Sequence, residues 1–117
     1  MPDKPPEDQV NLDEAVAEVR REFDAGLPGR LEILASALDS LTQKFDSGTA
    51  ETFFFNAHSL KGTAGAFGAD DLVGPARQLS GISRGWLKRG EASVQELTEA
   101  REELDQMREA VAVYLRG

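Results

Sequence analysis

The chain contains no cysteine, which excludes disulfides, thiolate metal ligands and cysteine nucleophiles. Aromatic residues are few, at 7%, with one tryptophan and one tyrosine among them, and β-branched runs are scarce. Period-two alternation is therefore nearly absent, and with it the mark of a half-buried strand. No stretch approaches the roughly eighteen successive apolar residues of a membrane span, and the opening "MPDKPPEDQ" lacks the apolar run of a signal peptide. These absences lead us to expect a cytoplasmic protein, and the lack of cysteine fits a reducing compartment. Positive charge is also in the minority: 13 Lys and Arg face 21 Asp and Glu, for a net charge of −8. That balance argues against a nucleic-acid backbone as partner, because such modules carry a basic face.

What is present is material for helices. At 117 residues and 40% apolar content the chain is about one domain long, with enough hydrophobic residues for a single core. Residues 1–10, rich in proline and charge, read as a disordered lead-in, and residues 11–117 as one domain. Asn11, with Glu14 three residues on, offers an N-cap for a first short helix carrying Leu12, Val16, Val19 and Phe23, ended by Gly26, Pro28 and Gly29. A second segment places Leu27, Leu31, Leu34, Leu38, Leu41 and Phe45 at steps of four and three, and "DSGT" at 46–49 makes a turn. The third runs its seam through Phe53, Ala57, Leu60, Ala64 and Phe67 and should end near Gly68.

Asp70 and Asp71 favour a new start through capping and the helix dipole, and Leu72, Ala76, Leu79, Ile82 and Trp86 follow as a less regular seam. Ser93 and Glu96 form a capping box for the last helix, with Leu97, Ala100, Leu104, Met107, Val111 and Tyr114 along its seam. Short connections between amphipathic helices predict an all-α, up-and-down antiparallel four-helix bundle, with the additional short N-terminal helix capping one end. A monomer is the simpler expectation.

The only histidine, His58, sits opposite the third seam and should face water. Lys61, Gly62 and Gly65 share its side, three, four and seven residues on, and Phe54 and Phe55 lie one turn before it. Two interior glycines together forfeit about 2 kcal/mol relative to alanine, so they call for a reason beyond helix formation. Clearance beside the imidazole supplies one. A phosphoryl group on a ring nitrogen would project its oxygens over the following turn, where Lys61 could offset their charge. Basic residues gather nearby: Lys61, Arg77, Arg84, Lys88 and Arg89 stand against only Asp70 and Asp71 across that span. A metal role is disfavoured, since one histidine without cysteine would need several carboxylates, and no metal site is expected. No GxxxxGK[ST] stretch offers a nucleotide site.

The run "AHSLKGTAGAFG", followed by "DDL", resembles the signature of the histidine phosphotransfer (HPt) domain, a histidine followed by x-x-Lys-Gly and a small-residue turn ending in glycine. The likeness covers the third and fourth segments residue by residue; the other helices match as amphipathic segments in the expected order. It implies a phosphohistidine carrier, not an enzyme with its own nucleotide site. His58 would accept a phosphoryl group from a receiver-domain aspartate and pass it to another receiver, Lys61 would neutralise charge, and Gly62 would leave room for the group and the incoming loop. No cofactor is implied, magnesium being expected on the partner receiver. The residue that helps orient the ring in many members lies twenty-two positions past the histidine, which is Ser80 here, and a basic partner contact four further on is Arg84. Gly65, Phe54 and Phe55 would complete the docking face. Two other readings stand beside this one: the phosphoacceptor (P1) domain of a chemotaxis-type histidine kinase, which that run also resembles, and an adaptor bundle that is not phosphorylated.

Overall fold

The computed structural model describes the backbone of residues 7–117 and the side chains from Leu12 onward. Four helices follow in order: α1 (Glu7–Gln43), α2 (Ser47–Ala66), α3 (Asp70–Arg89) and α4 (Val94–Arg116). Each packs on its sequence neighbour and α4 closes back on α1, while among the described residues the backbones of the diagonal pairs do not approach closely. With connections as short as 44–46, 67–69 and 90–93, this is the up-and-down antiparallel four-helix bundle that the seams predict.

The N-terminal part differs from expectation. The first and second segments are one continuous helix, so no separate short helix caps the bundle. Residues 1–6 of the expected disordered lead-in lie outside the described residues, but Glu7 to Val10 already belong to α1, and Asn11 is therefore not an N-cap. Gly26, Pro28 and Gly29 read as a break because proline costs a helix interior about 3 kcal/mol and each glycine about 1. Packing offsets this. Phe23 and Leu27, on the near side of the proline, are buried, as are Leu34, Leu38 and Leu41 beyond it, and each buried large apolar side chain contributes about 1.5–3 kcal/mol. Two contacts secure the junction: the Tyr114 hydroxyl donates to Asp24 Oδ1 at 2.7 Å, and the Arg20 guanidinium donates to the Phe67 carbonyl. At 1.5 Å per residue α1 is about 55 Å long against about 30 Å for α2. The excess projects past the bundle, leaving Leu12, Val16 and Val19 exposed rather than folded over one end.

Elsewhere the seams become the core. Phe53, Ala57, Leu60 and Ala64 of α2 meet Leu72, Ala76, Leu79 and Trp86 of α3, with the Phe53 and Trp86 rings 5.4 Å apart. Ala100, Leu104, Met107 and Val111 complete it from α4.

The helix ends show why α2 lies where it does. Asp46 is its N-cap, accepting from the Thr49 amide at 2.8 Å, so "DSGT", expected as the turn between helices, is the cap and first helical turn of α2. At the other end Gly68 takes φ of 76°, its amide donates to the Gly65 carbonyl at 3.3 Å, and the Ala69 amide donates to the Ala64 carbonyl at 2.8 Å. That paired return closes the helix only with a left-handed residue at its centre, which glycine adopts without strain. Helix α3 begins without a side-chain cap: Ala69 occupies the N-cap, and Asp70 and Asp71 act from the first turn on the helix dipole alone. Pro75 lies inside α3 without ending it. The Ser93–Glu96 capping box forms as expected.

Candidate functional site

Helix α2 is buried along one stripe and open along another. His58 stands on the open side and is exposed. Its ring lies over Phe54, one turn earlier, with centroids 5.5 Å apart and planes only 16° from parallel. The spacing explains the pair, because helical side chains lean toward the N-terminus and residues four apart meet. Phe54 is half-buried; it meets Phe55 edge-on at 5.5 Å, and the Arg84 guanidinium of α3 lies 5.6 Å from its ring centre. That distance is within reach of a cation–π contact.

C-terminal to His58, Lys61 is half-buried and Gly62 exposed. A Cβ at Gly62 would have nothing within 4 Å, so nothing inside the fold requires glycine there. The bare backbone opens only to the exterior, as clearance for an incoming group demands. Gly65 differs in direction: a Cβ there would lie 3.8 Å from Val73 Cγ2, an ordinary contact, so this glycine turns toward α3 although packing would admit a methyl group. Phe55 is 62% exposed, a large apolar ring on an open surface.

The structure therefore gathers His58, Phe54, Phe55 and Arg84 into one contiguous group, with Lys61 and Gly62 on the next turn of α2. Ser80 is apart in character, only 3% exposed and without a hydrogen bond to His58; its carbonyl accepts from Ser83 Oγ at 3.2 Å. Among the described residues His58 makes no hydrogen bond, and neither Lys61 nor Arg84 joins an ion pair. By contrast Arg89, in the same basic run, is taken up by Glu96 at 2.5 Å. Arg77, Arg84 and Lys88, at steps of seven and four, form an exposed basic stripe on α3.

Sequence reasoning missed the contact that organises this group, the Phe54 ring under the imidazole. The signal was an aromatic four residues before the histidine on a helix. The described residues contain no cluster of three or more His, Cys, Asp or Glu able to hold a metal ion, and no described helix is long and apolar enough to cross a membrane.

Fold and surface together define a class: a small helical module that presents a single imidazole on an open helix face. Residues 18–112 match the family model of the Hpt domain, and the chain belongs to that family. Hpt domains are phosphocarrier modules of two-component signalling and interact with receiver domains, so histidine phosphotransfer is the coarse function. Comparison with curated proteins and with solved structures gave no match.

Proposed function

We propose that the chain is a phosphorelay intermediate that takes a phosphoryl group from a receiver-domain aspartate onto His58 and delivers it to a second receiver. The observation that carries this reading is the exposed His58 ring with a lysine and an unobstructed glycine on the next helical turn. A neutral imidazole offers a nucleophilic nitrogen without a separate base. Its lone pair forms the P–N bond as the P–O bond to the aspartate breaks, and the electron pair returns to the carboxylate. The other ring nitrogen keeps its proton. Lys61 offsets the charge of the transferred oxygens, and Gly62 admits both the group and the receiver loop that brings it.

Phe55, Gly65 and the basic stripe from Arg77 through Arg84 to Lys88 suit a receiver whose phosphorylation pocket is acidic. Magnesium belongs to that partner, and the chain uses no nucleotide or cofactor of its own. Ser80, buried in α3, stays out of the transfer chemistry in this reading.

The test is transfer of labelled phosphate from a phosphorylated receiver, with His58→Gln as control. Acid-labile, alkali-stable label that the variant lacks is the expected result. Label obtained only from a histidine-kinase ATP-binding domain, and from no receiver, would favour a kinase phosphoacceptor domain instead. No label from either source overturns phosphoryl carriage.

A further inference from the structure

An exposed histidine on a helix turns freely about its side-chain bonds, yet in-line attack on phosphorus requires the ring nitrogen to be held on a defined trajectory. A hydrogen bond from the second ring nitrogen is the usual means of fixing an imidazole. Among the described residues His58 has no such bond, and Ser80, at the position where the resemblance implies an orienting residue, is buried, with only its backbone carbonyl bonded, to Ser83 Oγ. The ring is nonetheless placed. It lies nearly parallel over Phe54, and Phe54 is itself held from two sides, edge-on by Phe55 and by the Arg84 guanidinium reaching across from α3.

From this arrangement we infer that Phe54 is the positioning residue of His58, and that Arg84 acts through Phe54 to anchor it. The inference rests on the relay reading above and deepens it. Centroids 5.5 Å apart with planes at 16° describe an offset stack, the geometry that aromatic quadrupoles favour. A face contact restrains the plane of the imidazole and leaves both nitrogens accessible at its edge. It is indifferent to which nitrogen carries the proton. A hydrogen-bond acceptor would instead occupy one nitrogen and select a tautomer, so Phe54 performs a different task from such an acceptor: it restricts rotation without choosing the reacting atom. Arg84 links this restraint to α3, so that a change in the spacing of α2 and α3 would be felt at the ring.

Two measurements on the full chain test the inference. In the unphosphorylated protein the His58 ring protons should show an upfield ring-current shift in NMR spectra, lost in Phe54→Leu, kept in Phe54→Tyr and reduced in Arg84→Met. In transfer from a phosphorylated receiver, Phe54→Leu should lower the maximal rate about tenfold with little change in the receiver concentration at half-saturation, and Phe54→Tyr should restore it. A rise in half-saturation alone would make Phe54 a docking contact and overturn the positioning role, as would ring-proton shifts indifferent to Phe54. The thermal midpoint of each variant guards against misfolding, and Phe54→Tyr keeps the test open should Phe54→Leu prove unstable. Failure of the wild type to accept label would count against the relay, whereas normal labelling with an unaltered Phe54→Leu rate would count against the stack alone.

Discussion

The two flanks of α2 are built from the same helix but dispose of their polar side chains in opposite ways. On the flank beside α1, the polar groups are consumed locally. Thr52 Oγ1 donates to the Gly48 carbonyl, Asn56 Nδ2 to the Thr52 carbonyl at 2.8 Å, and Thr63 Oγ1 to the Ser59 carbonyl at 2.9 Å. Short polar side chains reach their own helix backbone easily, and once bonded there they offer little to a partner. On the flank beside α3, His58 and Lys61 are left without such bonds, next to a glycine that no neighbour requires. A shallow, largely open groove of about 450 Å³ lies on the first flank, lined in part by Ile33, Ser36, Thr49 and Thr52. The reactive-looking residues lie on the other, on an open helix face. Concavity marks small-molecule sites; an open face around a nucleophile suits a macromolecule that brings its own pocket.

Substitutions should separate the flanks in a graded way. The largest effect belongs to His58→Gln, which should abolish acid-labile labelling while leaving the thermal midpoint within about 2 °C of the wild type, because an exposed surface change alters stability by only about 0.5 kcal/mol. Gly62→Ala should move the two properties in opposite directions. Unfolding by urea should show a gain of about 0.5–1 kcal/mol, since alanine stabilises an exposed helix interior that has room for its methyl group, while receiver-dependent transfer falls about tenfold. If transfer were unchanged, the glycine would have no role at the docking face.

Next comes the N-terminal end of α2. Asp46→Ala removes the cap and should cost about 1 kcal/mol in urea denaturation with transfer retained. A pH series extends the point. The Ser93 amide, and Arg89 beside it, hold the Glu96 carboxyl below its ordinary value of 4.5, and the Thr49 amide and hydroxyl do the same for Asp46 below 3.8. A carboxyl depressed in the folded state contributes its full stabilisation above the unfolded value and loses it as pH falls through the lowered folded value. The urea midpoint should therefore drop between pH 6 and pH 3, and drop less in Glu96→Gln. The smallest effects are expected on the self-satisfied flank. Thr52→Ala and Thr63→Ala should each change stability by less than about 0.5 kcal/mol and leave transfer untouched; a clear transfer defect in either would erase the contrast between the flanks.

Much of this was legible before any tertiary information. Seams at steps of three and four specify which face of each helix is buried, since apolar residues so spaced share one side of a 3.6-residue turn. His58 opposite such a seam had to be exposed. The Ser93–Glu96 box and the Gly68 terminus were equally readable, being local devices whose partners lie within a few residues. The break at Gly26, Pro28 and Gly29 was not. Glycine and proline report local preference, whereas α1 stays continuous because Phe23 and Leu27 are buried by residues far away in the chain.

At the site the same division holds. The sequence by itself determined that this is a helical bundle with one imidazole, a lysine and a bare glycine on a shared helix face, because helical periodicity alone brings positions 58, 61 and 62 together. Only the tertiary structure decided that Arg84 meets the Phe54 ring, that Gly65 turns toward Val73, and that Ser80 is buried away from a bond with His58. Those outcomes depend on the distance and rotation between α2 and α3. Such quantities are fixed by side chains packing across the helix pair, and no spacing within either helix encodes them.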